Sequence, residues 1–528
     1  MRQIFKGGQA WSPGARPFSG LLVEDGQIIA IGESALAAQA DETIDLGGSF
    51  IIPAFGDGHA HPIFAGREAA GPKVNGLQSV KEIVEAVRIF AENNKEISWI
   101  IGGAYEAAII DGGDFDAHWL DEVVSDRPVV LHAVDHHTIW VNSKALEIAG
   151  INSETKDPMG GSIARRADGS PKGTLREPQS FALVLDHAPK NTIESDVSAI
   201  KYACSQYLKS GVTFANDSWL EEGMAEAYLA AVKTGALTID MNISHLANPE
   251  SWRADIAKYE ELVQAFEPYK SQVNAKSVKF LADGALSSGT AALLEPYLDQ
   301  PGFSGLKIWS DVELMAAVKE FDSRGFQIHI HAIGDAAIRQ ALDAFEAMHR
   351  VNQDWNRRPV LVHAQLIHPE DLPRFEELGV IANFQPLWMY LDPMNKELIL
   401  PRIGEVRNNQ QYQLRSLIKT GAKVAFGSDW PVTSEVPLEA LYVPVTRSKG
   451  GPAWSPQEAI TISESLEFYT SGVAYQNFRE NELGKLEVGY KADFIILDKS
   501  PLLHSNAKIV AVYKNGEVVN AYKSWQQY

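Results

Sequence analysis

Pro53-Ala-Phe-Gly-Asp-Gly-His-Ala-His61 carries two histidines two residues apart, at the end of an apolar run that begins at Phe50. Side chains at i and i+2 of a strand share a face, so both imidazoles can point at one ion. In a chain with this many histidines an H-x-H pair arises by chance roughly 0.4 times, and a second pair, His329 and His331, does occur. Two unrelated histidines therefore remain the alternative until the rest of the chain is read.

Beyond this stretch, short apolar runs rich in β-formers alternate with long helical patterns, as parallel βαβ construction requires. The runs are Phe50 to Pro53, Val212 to Ala215, Ile239 to Ser244, Val278 to Leu281, Gln327 to His331, Val360 to His363, Val380 to Phe384 and Val424 to Gly427. Eight of them suit a (β/α)₈ TIM barrel of the α/β class, with Phe50 to Pro53 as its first strand. The gap from the first run to the second is far longer than one helix needs. An insertion at about residues 70–200 is expected there, with a strand-like segment at Arg127 to Val134 and a glycine-rich loop from Pro158 to Gly173.

Both chain ends have a different character. Ser19 to Val23, Gln27 to Ile31 and Glu42 to Leu46 at one end, and Ala492 to Leu497, Ile509 to Lys514 and Glu517 to Asn520 at the other, read as short strands with turns between them. Residues 1–52 and 483–528 are expected to pair into a small β-sandwich domain, leaving 53–482 for the barrel and its insertion.

Composition narrows the function. The 528 residues are 45% hydrophobic and 22% charged, ordinary for a packed globular protein. A net charge of −21 without a basic block argues against nucleic acid as a partner. The lone cysteine, Cys204, excludes an intrachain disulfide or a cysteine metal cluster. No apolar stretch is long enough for a membrane span, and Met1-Arg-Gln-Ile-Phe-Lys6 has none of the parts of a secretory signal. A cytoplasmic enzyme acting on a small molecule, without membrane association, is expected. A homodimer is expected by analogy only.

Later strands also end in potential ligands: Lys279, His331, His363 and Asp429. In parallel barrels the C-terminal strand ends surround the active site, so residues distant in sequence converge there. Nitrogen and carboxylate ligands suit Zn²⁺, with manganese, iron, nickel or cobalt as alternatives. His329, one pleat deeper than His331, is assigned to the barrel core. Asp335 stands where a helix should begin, so N-capping is the first reading and support of the site the second.

At this point the motifs resemble a known family. Gly56-Asp-Gly-His-Ala-His61 is similar to the first-strand metal motif of the amidohydrolase superfamily. Val278-Lys-Phe-Leu-Ala-Asp-Gly-Ala-Leu-Ser-Ser-Gly-Thr-Ala291, His331-Ala-Ile-Gly-Asp335, His363-Ala-Gln-Leu366 and Gly427-Ser-Asp-Trp-Pro431 resemble amidohydrolase family 3, the branch of the N-substituted formamide deformylase-like enzymes. Val141-Asn-Ser-Lys-Ala-Leu146 and Leu486-Glu-Val-Gly-Tyr-Lys-Ala-Asp493 match it too, in the same order along nearly the whole chain.

The resemblance implies that His59 and His61 hold one metal and His331 and His363 a second, with Asp429 completing the first site. Lys279, carboxylated on its amine, would bridge the two. A carbamate offers two anionic oxygens where a neutral amine offers one lone pair, and burial lowers the amine pKa that carboxylation requires. A salt-bridged lysine with a mononuclear site is the alternative.

The implied reaction is hydrolysis of a non-peptide carbon–nitrogen bond, in a small amide, formamide or cyclic amide, by a metal-bound hydroxide, with Asp429 as general acid and base. His137 matches a histidine that the family places in the inserted segment, where it would hold substrate or an oxyanion. A loop histidine bonded to a backbone carbonyl is its alternative, and His136 stands where the family usually has glycine. Gln385 and Trp388, after the seventh run, are expected to bind substrate, with Pro386, Met389, Tyr105 and Phe303 as weaker pocket candidates. A deaminase of the same superfamily and a non-enzymatic relative are the competing functions. The glutamate that such deaminases carry shortly after the fifth-strand histidine is missing from His331-Ala-Ile-Gly-Asp335.

Overall fold

The computed structural model of the chain describes residues 1–158 and 160–522. Eight parallel strands form one sheet: β1 (Phe55–Ala60), β2 (Val212–Leu220), β3 (Asp240–Leu246), β4 (Val273–Leu281), β5 (Gln327–Ala332), β6 (Val360–His363), β7 (Ile381–Phe384) and β8 (Lys423–Phe426). Their hydrogen-bonded order follows the chain from β1 to β8. The ring closes just beyond β8, where Asp429 N–H donates to His59 O and His61 N–H donates to Trp430 O, each at 2.7 Å.

Two glycines let this seam close. A Cβ on Gly427 would stand 2.5 Å from His59 N, and one on Gly58 would stand 2.9 Å from Phe426 O. Both are shorter than any side chain tolerates, so β1 and β8 approach this closely only because neither position carries one.

Helices such as Met224–Thr234, Asp311–Ser323 and Asp335–Val351 cover the outside of the barrel. They present Ala227, Ala231, Leu314, Val318, Ile338 and Phe345 to the sheet, all fully buried. That apolar layer supplies most of the driving force for closing the barrel. Among the described residues no helix is long and apolar enough to cross a membrane.

Phe50–Pro53, read from the sequence as the first barrel strand, lies elsewhere. It pairs antiparallel with Phe494–Leu497 in a five-stranded sheet that also holds Gln9–Ala10, Ile509–Lys514 and Glu517–Ala521. Its four residues are all buried, so hydrophobicity alone could not distinguish it from the strand that begins two residues later. A second sheet of Arg2–Lys6, Leu21–Glu24, Gln27–Ile31 and Glu42–Asp45 packs against the first. Phe5 sits between them, edge-on to Phe494 at 5.0 Å and to Tyr513 at 5.2 Å. Residues 523–528 of the expected end domain lie outside the described residues.

The sandwich is tied to the barrel base by charge. Buried Asp240, at the start of β3, accepts from Lys514 at 2.8 Å, Lys491 at 3.1 Å and Arg479 at 2.8 Å. Burial opposes ionisation of this carboxyl, and the three cations overcome it and hold the pKa below the usual range.

Between β1 and β2 the chain leaves the barrel to build a lobe on a five-stranded sheet. The expected strand near Arg127 to Val134 is present as Val129–Ala133. The segment from Pro158 to Gly173 is not simply a loop. It contains Ser162–Arg165 and the start of Pro171–Arg176, which pair antiparallel, because Gly169 supplies the left-handed residue of the turn between them. Met159 lies outside the described residues.

Candidate metal centre

Every expected ligand stands at the C-terminal end of its strand or just past it. His59 lies within β1, and His61 follows it directly, at the cap of the helix Pro62–Ala69. Asp429 lies three residues past β8 with φ 58°, a left-handed turn that swings its carboxylate back over the ring. Oδ1 of Asp429 is 3.0 Å from His61 Nε2 and 3.2 Å from His59 Nε2. One ligand atom from each of these three residues lies within 4.8 Å of the others.

Asp57 holds this arrangement from below. Its Oδ1 accepts from Ser428 N at 2.9 Å and its Oδ2 from Ser428 Oγ at 2.5 Å and Tyr207 OH at 3.2 Å. The sequence reading passed over Asp57, although it stands inside the quoted motif.

The other strand ends close in beside this group. The His363 ring is 5.2 Å from that of His59 and 4.6 Å from that of His331. Lys279 is buried among them with no hydrogen bond from Nζ among the described residues, and burial lowers its amine to about 7. His331 Nε2 is 3.2 Å from Gly284 O. Buried Asp283 braces the turn beyond His331 by accepting from Ile333 N, Gly334 N and Ala292 N at 2.8–3.0 Å.

Gln385 does not meet substrate in this arrangement. It is fully buried and uses both ends of its amide internally: Nε2 donates to Asn383 Oδ1 at 3.1 Å, and Oε1 accepts from His363 Nδ1 at 2.7 Å. Its role is to fix the His363 tautomer, leaving Nε2 of that ring as the free lone pair. Asn383 continues the chain to Gln476, which donates to Gly58 O at 2.6 Å, so His363 and His59 are oriented by one amide relay. Trp388 stacks on the His363 ring at 5.2 Å and 9°.

Two further expectations are corrected. Asp335 makes no side-chain cap on its helix. Gly334 occupies the cap, and Asp335 Oδ1 accepts from Leu294 N at 2.8 Å, pinning the loop after β4. Tyr105 is fully buried against Phe115 and Trp140 in the inserted lobe. Phe303 stacks on Tyr297 at 6.2 Å. His329 is enclosed, its Nε2 3.0 Å from Gln327 Oε1.

His137 comes from the inserted lobe, its ring 5.8 Å from that of His331. Nδ1 is 2.8 Å from Glu177 Oε2, and the other Glu177 oxygen accepts from Thr290 Oγ1 at 2.6 Å and Ser288 Oγ at 3.1 Å. Burial alone would lower the His137 pKa; Glu177 overrides it and raises it to about 9. Glu177 is the main residue that the sequence reading missed. It follows a strand of the inserted lobe, Pro171–Arg176, and not a strand of the barrel, so its position gave no signal.

The donor set fits a cation. Both ring nitrogens of His59 and Nδ1 of His61 are buried without a hydrogen-bond partner, since His59 Nε2 is close to Asp429 but not aligned with it. Unfilled buried lone pairs are costly, and a divalent ion among them would satisfy them.

Fold and site define a metal-dependent hydrolase. The chain belongs to the amidohydrolase family, whose profile matches residues 42–520. It is 30% identical over 530 residues to the protein LONG AFTER FAR-RED 3 of Arabidopsis thaliana, covering 96% of this chain and 89% of that one. It is 27% identical over 503 residues to N-substituted formamide deformylase of Arthrobacter pascens, covering 91% and 90%. The solved structure of an uncharacterized metal-dependent hydrolase from Pyrococcus horikoshii OT3 matches with a TM-score of 0.75 at 25% identity, over 98% of this chain and 100% of that one.

Proposed function

We propose that this hydrolase cleaves a non-peptide carbon–nitrogen bond in a small amide, formamide or cyclic amide. One or two divalent ions, zinc foremost, would be held by His59, His61 and Asp429 and by Lys279, His331 and His363. The observation that carries the reading is the single Asp429 oxygen shared between two imidazoles at 3.0 and 3.2 Å, with the other oxygen making no hydrogen bond among the described residues. The formamide deformylase relative supports the choice of bond.

Bound zinc supplies Lewis acidity and lowers the pKa of a neighbouring water toward ~7. Asp429 Oδ2 takes the proton released from that water and passes it to the departing nitrogen. The carboxyl stands ready as the base: burial opposes its ionisation, but the close approach of the His59 and His61 rings holds it well below the usual carboxylate range. His137, fixed through Nδ1, offers Nε2 to the acyl oxygen. Lys279, with its amine lowered by burial, would add carbon dioxide and lose a proton, and the carbamate would help hold the ions.

The test is turnover of formamides, hydantoins and N-acyl amino acids by zinc-loaded protein. Asp429→Asn should keep its metal while the rate falls by about 10²–10⁴. Wild-type turnover in that variant would remove Asp429 from the chemistry, and no turnover across the whole panel would overturn the choice of bond.

A further inference from the structure

Among the described residues, five histidines carry a buried ring nitrogen without a hydrogen-bond partner: His59, His61, His132, His136 and His329. The first two belong to the metal centre, and His329 is enclosed in the barrel core. The remaining two lie together in the inserted lobe, their rings 5.3 Å apart and 20° from parallel. A carboxylate joins them. Glu68 Oε2, also buried and without a hydrogen-bond partner, stands 3.3 Å from His136 Nε2.

That approach repeats the one between His59 Nε2 and Asp429 Oδ1, which are 3.2 Å apart and equally unaligned for a hydrogen bond. His137 and Glu177, which do form a hydrogen bond, close to 2.8 Å. Two ligand atoms held at ~2.0–2.2 Å by one tetrahedral zinc stand roughly 3.3–3.5 Å from each other. The spacing and misalignment of Glu68 and His136 are therefore those of neighbouring ligands on an ion, not of a donor and its acceptor.

The surroundings leave room for one. A Cβ on Gly103 would stand 2.9 Å from Glu68 Oε2 and 3.2 Å from His132 Cβ, so the space where these side chains meet stays open because that residue is glycine. His136 has φ 52°, in the left-handed region that favours glycine, so its imidazole is kept there against the backbone preference. Only His59, His61 and Asp429 already bring three ligand atoms within 4.8 Å of one another among the described residues, so a third bond here requires the His132 ring to turn. No hydrogen bond holds that ring among the described residues, and the χ2 torsion of histidine is soft.

We propose that Glu68, His132 and His136 form a separate cation site of the zinc class, which ties the inserted lobe to the barrel. Two imidazoles and a carboxylate suit zinc or a similar borderline ion better than calcium or magnesium, which take oxygen ligands. Glu68 lies on the helix Pro62–Ala69, two turns and about 10 Å along from His61, so the site is distinct from the first centre. His132 lies on the lobe strand Val129–Ala133, and His136 directly precedes His137. An ion shared by the three fixes the turn that delivers His137. The proposal does not depend on the chain being a hydrolase.

The experiment is equilibrium dialysis of the purified full chain against micromolar Zn²⁺, read as zinc per chain by elemental analysis. The wild type should hold one zinc more than Glu68→Gln and one more than His136→Gly. The first variant keeps the side-chain size, and the second places glycine where the backbone favours it, so either serves should the other fail to fold. The same loss of one zinc should appear when each change is made on top of His59→Ala and His61→Ala, which separates this site from the position shared with Asp429. Equal zinc content in the wild type and a folded variant would overturn the proposal and leave Glu68 and His136 an ordinary ion pair. Anomalous scattering at the zinc edge from wild-type crystals grown at the same zinc concentration gives the answer without any variant. A peak between Glu68 and His136 is expected, and its absence would equally overturn the site.

Discussion

His59, His61 and Asp429 meet across the barrel seam through backbone hydrogen bonds and two missing side chains, whereas His137 reaches the same space from the inserted lobe by way of a carboxylate and two hydroxyls. The first group is placed by the fold itself: once β1 and β8 pair, the ligands have nowhere else to be. The second is placed by side-chain contacts among residues 137, 177, 288 and 290, which the backbone does not impose. The barrel side should therefore fail as a unit, and the lobe side by degrees.

The largest effect should come from the barrel side. Replacing both His59 and His61 by alanine should empty the metal position that they share with Asp429, read as metal per chain by elemental analysis on protein purified without chelator. Retention of the wild-type metal content would break the assignment. A smaller change tests the seam. Gly427→Ala forces a Cβ to 2.5 Å from His59 N and should cost about 1–3 kcal/mol of stability, together with weaker metal binding. Full metal affinity in a destabilised Gly427→Ala would show that the ligands do not depend on seam closure.

The smallest effect belongs to the lobe. In chelated protein the His137 pKa of about 9 lies above its unfolded value, so the pair contributes stability that is complete below about pH 6.5 and is lost as pH rises through about 9. Glu177→Gln should remove that dependence. The melting temperature of the wild type should fall toward that of the variant between about pH 7 and 10, and a constant gap would show that the pair carries no net charge contribution.

The same contrast explains what the sequence could say. Barrel ligands were legible because a parallel strand ends where its chemistry is, so position and residue type coincide at His59, His331 and His363. Gln385 was found for the right reason and given the wrong partner, since nothing in the sequence shows that its amide is spent on His363 and Asn383. Glu177 was invisible. It belongs to the inserted lobe, and its meaning comes from what it contacts across more than a hundred residues. Phe50–Pro53 was misplaced because a buried strand of the end sandwich and a buried strand of the barrel have the same apolar run.

The end sandwich also sets an order of events during synthesis. Phe50–Pro53 pairs with Phe494–Leu497, which the ribosome makes roughly 440 residues later. At ~5–20 residues per second the first strand waits on the order of half a minute or more for its neighbour. During that interval its four apolar residues have only the two-residue strand Gln9–Ala10 to pair with, and a nascent chain at this stage is the form of the protein most in need of a chaperone.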